Sequence, residues 1–388
     1  MRHFGHIAPE VRERLFHREP CAFTADSPAR LLSAALGATL YSPATRPKLA
    51  DDVLKQGARG VVSMVLCLED SIDDADVAAG EENLVRQFTH LAGLPDADVP
   101  LLFVRVRTPG QIPDLVRRFG PAVRLLSGFV LPKFTEERGT AFLEALTAAE
   151  AASGRRLFAM PVLESPELLY RESRVQTLEG IFRAVDKYRD RVLALRLGVT
   201  DFCSSYGLRR APDMTAYDVQ VVASVIADVV NMLGRADGTG FTVTGPVWEY
   251  FRVQERMFKP QLRQSPFLEV QAVELRQKLI EHSMDGLLRE IALDHANGLL
   301  GKTCIHPSHV LPVHALSVVS REEFSDAQDI LRPERGGGGV LRSAYTNKMN
   351  EVKPHRAWAE RTLLRAEVFG VANEDVGFVE LLAAGLSD

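Results

Sequence analysis

The chain has 388 residues, 46% of them hydrophobic and 25% charged, which is ample apolar material for a large core. Its formal net charge of −5 leaves no basic excess to neutralise phosphates, which argues against a nucleic-acid partner. Cys21, Cys67, Cys203 and Cys304 stand far apart with no CxxC spacing, against both a zinc cluster and a disulfide framework, and read as small core hydrophobes.

The opening "MRHFGHIAPEVRERLFHREP" lacks the apolar stretch of a signal peptide. No apolar run reaches the roughly 18 residues that span a bilayer. The expectation is a soluble, cytoplasmic protein with no membrane partner. Short apolar segments then recur: "GATLYSP" (37–43), "GVVSMVLCLED" (60–70), "PLLFVRVR" (100–107), "GFVLPK" (128–133), "RLFAMPVLES" (156–165), "VLALRLGVTD" (192–201), "GFTVTGP" (240–246) and "GKTCIHP" (301–307). Their unbroken apolarity predicts strands buried on both faces, as in parallel sheets. Between them, "RPKLADDVLKQG", "ERGTAFLEALTAAEAASG" and "TAYDVQVVASVIADVVNML" repeat apolar residues at helical spacing. Eight strands alternating with helices predict an α/β (β/α)8 TIM barrel over residues 1–320. A doubly wound open sheet is the alternative, but no GxGxxG follows the first strand.

After residue 320 the character changes. "SREEFSDAQDILRPERGGGGVLRSAY" reads as an acidic helix and then a flexible joint at Gly336–Gly339, followed by helical stretches. Residues 321–388 are therefore expected to form a C-terminal helical extension, packed on its own barrel or on a neighbouring subunit.

Barrel sites lie at the carboxyl ends of the strands, and charged residues collect there. The expected strands offer Arg46, then Glu69 and Asp70, then Arg105 and Arg107, then Lys133, Glu164, Asp201, and finally Lys302 and His306. Asp201 alone could be a helix N-cap. Taken with Glu164 on the adjacent strand, it can hold a hard divalent cation such as Mg2+ while leaving positions for water and substrate oxygens. Such a cation with an arginine beside it can grip a 2-oxo acid and stabilise an enolate. Lys133 could equally pair with Glu164 or Glu69. His306 reads first as a hydrogen-bonded loop histidine, and Arg209 and Arg210 as a solvated loop pair.

Seven motifs in order then resemble a known group. "LYSPATRP", "CLEDSI", "VRVR", "GFVLPK", "PVLESPELL", "LGVTDFCSSYG" and "GLLGKTCIHPSHV" resemble the segments of the citrate lyase β-subunit and HpcH/HpaI aldolase superfamily. Its members are Mg2+-dependent carbon–carbon lyases on TIM barrels. The resemblance implies that Glu164 and Asp201 are the metal ligands and that Arg105 contacts the substrate carboxylate and the enolate oxygen. Arg46 would lie nearby, Glu69 and Asp70 would orient metal-bound water or Arg105, and Lys133 would face the substrate. Lys302 and His306 would shape the floor and last loop of the site.

Several positions depart from the family pattern. Ala44 replaces a glycine, Cys67 an acid, and Arg107 an asparagine, which adds positive charge near the substrate carboxylate. "NKMNEVKP" stands where the family has a segment that delivers an acid into a neighbouring subunit's site, placing Glu351 at the acid position. The insertion "PVWEYFRVQERMFKPQLRQSPFLEVQ" marks a divergent branch, similar to the citrate-lyase-like proteins encoded with bacterial tellurite and stress resistance genes. The implied activity is a Mg2+-dependent lyase or aldolase acting on a small carboxylate or 2-oxo acid, free or as its CoA thioester, in a homo-oligomer (trimer or hexamer). A thioester hydrolase using the same enolate chemistry and a non-catalytic metabolite-binding subunit are the alternatives.

Overall fold

Apolar runs too continuous for a one-faced sheet become a ring of parallel strands in the computed structural model, which describes residues 1–94, 99–251, 284–332 and 338–386. A short strand, β1 (Phe16–Arg18), precedes the ring. The ring strands are β2 (Ala38–Pro43), β3 (Ser63–Cys67), β4 (Leu101–Arg105), β5 (Leu126–Leu131), β6 (Phe158–Leu163), β7 (Arg196–Leu197) and β8 (Lys302–Cys304). They form one sheet in the order β7-β6-β5-β4-β3-β2-β8. The expected strand at 240–246 is reduced to isolated parallel bridges, Leu195 with Val243 and Gly245 with Lys302. Its backbone still joins the two sheet edges. Leu195 donates to the Thr242 carbonyl (2.8 Å) and Leu300 to that of Val243 (2.9 Å). The TIM-barrel expectation is met by seven strands and this bridging segment.

The alternation along each strand divides the core in two. Leu40, Leu66, Leu102, Leu131 and Leu163 point outward to the helices. Val65, Phe103, Val130, Met160 and Val162 fill the interior. The helices expected from periodicity form at Leu49–Ala58, Glu136–Ser153 and Gln220–Leu233. Glu136–Ser153 illustrates the local logic: the Thr135 hydroxyl accepts from the Arg138 N–H at its start, and Gly154 ends it at φ +64°.

The N-terminal segment, for which the sequence predicted no element, supplies helix Ala29–Ala35 and closes the amino ends of the strands. The C-terminal extension meets it there. Helix Val352–Phe369 follows a hairpin of β9 (Val340–Arg342) and β10 (Met349–Glu351) and leads to β11 (Val371–Ala372), which pairs antiparallel with β1. Phe369 and Leu32 pack in one cluster with Val62, Leu101 and Phe158, residues near the amino ends of the barrel strands. The Gly336–Gly339 joint lies partly outside the described residues. Gly338 and Gly339 are described, with φ of +94° and +110°, and most of the 246–271 insertion is not. No described helix is long and apolar enough to cross a membrane.

Candidate active site

The parallel register brings charged residues from five strand ends, those of β3 to β7, to the open face of the barrel. Arg105 closes β4, level with Cys67 of β3 and Val130 of β5. One of its terminal nitrogens lies 2.6 Å from Glu69, 2.9 Å from Glu164 and 3.5 Å from Asp70. Lys133 Nζ reaches Glu69 at 2.9 Å and Asp70 at 3.7 Å. The Lys133 backbone N–H donates to Glu164 at 2.8 Å, with its own φ at +49°, a conformation that side-chain-bearing residues adopt at a cost. Asp201 lies near enough to Glu164 for its charge to act on that acid. Glu69, Asp70, Arg105, Lys133, Glu164 and Asp201 therefore form one contiguous cluster.

Asp201 lies in the first turn of helix Val199–Ser204, whose cap position is Gly198, so its carboxyl is not the N-cap. Gly198 has a different task from bounding a turn. A Cβ there would stand 2.3 Å from Glu164 Cβ and 2.5 Å from its Oε2, so only glycine lets the chain pass this close to the acid. Gly207, at φ +63° in open space, is the turn glycine.

The cluster is short of positive charge: four carboxylates face two cations. Burial first, and then the neighbouring Asp201 charge, push Glu164 up to about 7 against the pull of Arg105. Burial and the Glu69 charge likewise raise Asp201. Burial and the Glu69 carboxylate lift Asp70 to about 6. Glu69 goes the other way. Burial alone would raise it, but Asp70, Arg105 and Lys133 hold it at about 2. Burial is the first cause of each rise and the neighbouring carboxylates add to it, a repulsion that a divalent cation would relieve. Among the described residues no group of three or more His, Cys, Asp or Glu is arranged to hold a metal. The Glu164–Asp201 pair supplies two hard oxygen donors, a set that suits Mg2+ with water and substrate oxygens. The buried Arg105 Nε and Ser165 Oγ have no hydrogen-bond partner, leaving polar capacity beside the pair.

Other expected residues lie elsewhere. Arg107 clamps the loop after β3. Its guanidinium donates to the carbonyls of Leu68 (2.6 Å), Glu69 (3.1 Å) and Ile72 (3.0 Å) and pairs with Asp74, so it holds Glu69 and Asp70 in place and does not join the cluster. Arg46 is exposed and paired with Asp52 at 2.6 Å. Glu351 sits on the exposed β9–β10 hairpin, where its N–H donates to His355 Nδ1 (3.1 Å). Lys302 is buried and bound to Glu290 (2.8 Å) and Asp294 (2.7 Å). Arg210, read as solvated, is buried against Glu290 at 2.6 Å, whereas Arg209 is exposed. His306 bonds Ser308 at 2.7 Å and stacks on Phe251 with centroids 4.8 Å apart. Cys67, Cys203 and Cys304 are buried, and Cys21 is partly exposed.

Sequence reasoning passed over two interior residues. Tyr41 on β2 and Arg196 on β7 lie inside the barrel, with the guanidinium carbon 5.7 Å from the ring centroid. The signal was present: an arginine within the apolar run "VLALRLG" must be buried with something polar.

Residues 30–371 match the family described as C-C bond lyase of the TIM-barrel fold. Among solved structures, the chain is similar to protein CitE from Mycobacterium tuberculosis in complex with magnesium, acetoacetate and coenzyme A. The identity is 20%, over 86% of this chain and 99% of that one, with a TM-score of 0.52. It is also similar to a citrate lyase from Burkholderia xenovorans, at 16% identity over 91% of this chain and 96% of that one, with a TM-score of 0.61. At these identities the structures speak to the fold. A search of curated proteins returned no match.

Proposed function

Because the chain belongs to the family of C–C bond lyases of the TIM-barrel fold, we propose that it makes or breaks a carbon–carbon bond next to the carboxylate of a small 2-oxo acid. Glu164 and Asp201 would hold Mg2+. The observation that carries this reading is the neighbouring Glu164 and Asp201 carboxyls beside Arg105, in a cluster of four acids and two cations. The cation, when bound, supplies Lewis-acid stabilisation of an enolate oxygen.

The chain's own residues do the rest. Arg105 is fixed by Glu69 and Glu164 and keeps one donor, Nε, unused, so it can bind a carboxylate or developing oxyanion without reorganising. Glu69 stays ionised and anchors both Arg105 and Lys133. Asp70, raised to about 6 and more exposed than Glu69, can hold or release a proton at its carboxyl near neutral pH. Lys133 faces the same opening and can take a substrate oxygen. Arg107 orients the loop carrying Glu69 and Asp70. Glu351 would act in a neighbouring subunit, because its helix runs to the closed end of the barrel; that makes a homo-oligomer part of the reading. Arg46 would close over the substrate on leaving Asp52. The M. tuberculosis relative's structure holds coenzyme A, so a CoA thioester is among the substrate forms to be tried.

The test is an NMR-followed panel of 2-oxo acids, 2-hydroxy acids and their CoA thioesters with Mg2+. The expected result is carbon–carbon cleavage or formation with at least one of them, and a loss of about 10²–10³ in kcat for Arg105→Lys. Thioester hydrolysis with the carbon skeleton intact would replace the lyase with a hydrolase. Binding with no turnover across the panel would favour a metabolite-binding subunit.

A further inference from the structure

Three described cations are buried: Lys302, Arg210 and Arg196. Lys302 has Glu290 and Asp294, and Arg210 has Glu290. Arg196 has no carboxylate partner among the described residues. Its guanidinium donates to Thr303 Oγ1 at 2.9 Å and approaches Met160 Sδ at 3.5 Å, its Nε is without a hydrogen-bond partner, and the residue is 1% exposed. An arginine stays charged even when buried, and a buried charge without a counter-ion is costly.

The position of this charge is specific. Leu195 and Leu197 point to the outer core, so Arg196 between them faces the barrel interior. Val162 of β6 pairs with Arg196 and Leu163 with Leu197, so Glu164 stands one strand repeat above it, about 6–7 Å nearer the mouth. Thr244 belongs to the same layer, on the segment that bridges β7 and β8. Val243 points outward, which turns Thr244 inward, and its buried Oγ1 also lacks a partner. The interior layer directly below the carboxylate cluster thus holds one uncompensated cation and two unused polar atoms, Arg196 Nε and Thr244 Oγ1.

We infer that Arg196 is a specificity-determining residue that receives a second carboxylate of the substrate, remote from the one gripped at the mouth, so that the site prefers a dicarboxylate to the corresponding monocarboxylate. This rests on the lyase reading for the mouth and adds a residue which that reading does not use. Arg105 and Arg196 then bind the two ends of the substrate. The second carboxylate supplies the counter-ion that the protein withholds, with Thr244 and Thr303 as neighbouring hydroxyls.

Malate and lactate differ by this one carboxylate and serve as probes in calorimetry on the full chain with saturating Mg2+. Wild type is expected to bind malate at least tenfold more tightly than lactate, and Arg196→Met to bring the two within threefold, with Mg2+ affinity unchanged. Because the substitution removes an unpaired buried charge, the Arg196→Met melting temperature should equal or exceed that of wild type, where loss of a merely structural arginine would lower it. Arg196→Lys keeps a cation in place and should retain a preference of at least threefold; it decides the matter if the methionine variant is unstable. Equal binding of the probes by wild type, or a full malate preference in Arg196→Met, would overturn the assignment. Either result with normal Mg2+ binding would leave the mouth site standing, whereas loss of Mg2+ binding in wild type would remove the reading beneath it.

Discussion

Two charged clusters lie within a few strands of each other and are built on opposite principles. Around Lys302, two cations (Lys302 and Arg210) meet two acids (Glu290 and Asp294), all buried. The remaining Asp294 oxygen accepts from the Tyr217 hydroxyl at 2.8 Å, and the Glu290 oxygen that meets Arg210 accepts also from the Ala216 N–H at 2.7 Å. Around Arg105, four acids meet two cations, and the cluster opens to solvent through Asp70 and Lys133. The first is closed, and its two cations are spent on its own acids, Glu249 adding a longer pair to Arg210 at 3.7 Å. The second carries surplus negative charge and an unused donor, Arg105 Nε, which suits the cation and substrate proposed for it. Burial and charge are common to both; what differs is how far the charges are spent on one another.

The comparison breaks most visibly at Lys302. Lys302→Met leaves Glu290 and Asp294 to share Arg210 in a buried setting and should cost about 3–5 kcal/mol in urea denaturation. A neutral outcome would mean that the balanced network is not what holds this part of the barrel. The closed end of the barrel sharpens the contrast through pH. His3 donates from Nε2 to the Ala35 carbonyl (3.0 Å), and His314 Nε2 accepts from the Ala38 N–H (3.2 Å). Burial lowers His3 to about 3 and carries His314 well below its ordinary value. Their folded values lie below those of the unfolded chain. The unfolded state therefore binds more protons as pH falls, and stability present above about pH 6.5 drains away toward pH 3. For His3 alone the loss is about 5 kcal/mol at the acid limit. Denaturation midpoints that stay flat from pH 7 to 4 would contradict this account of the closed end.

The fold was legible because parallel strands buried on both faces leave an unbroken apolar signature, and because helical periodicity survives in segments such as 137–154. The strand at 240–246 was overread: "GFTVTGP" has the right residues, but glycines at both ends and a terminal proline leave only two bridges. The mouth cluster was legible because residues two or three places past a strand must emerge at one rim. Arg107 and Arg46 share that position in sequence, yet the first turns back onto carbonyls and the second outward to Asp52, choices made by side-chain rotamers that no spacing records. The burial of Arg210, expected to be solvated, and of Arg196 was hidden for a related reason. Their partners, Glu290 for one and Thr303 for the other, lie 80 and 107 residues away.

The central claim is that the surplus charge at the mouth is a divalent-cation site held by Glu164 and Asp201. Its most direct test is calorimetry of Mg2+ on wild type, Glu164→Ala, Asp201→Ala and, as the control from the balanced cluster, Tyr217→Phe. Wild type and the control should bind alike, while each carboxylate variant should lose at least about tenfold in affinity, roughly 1.4 kcal/mol. Unchanged affinity in both carboxylate variants, or no binding by wild type, would contradict the account.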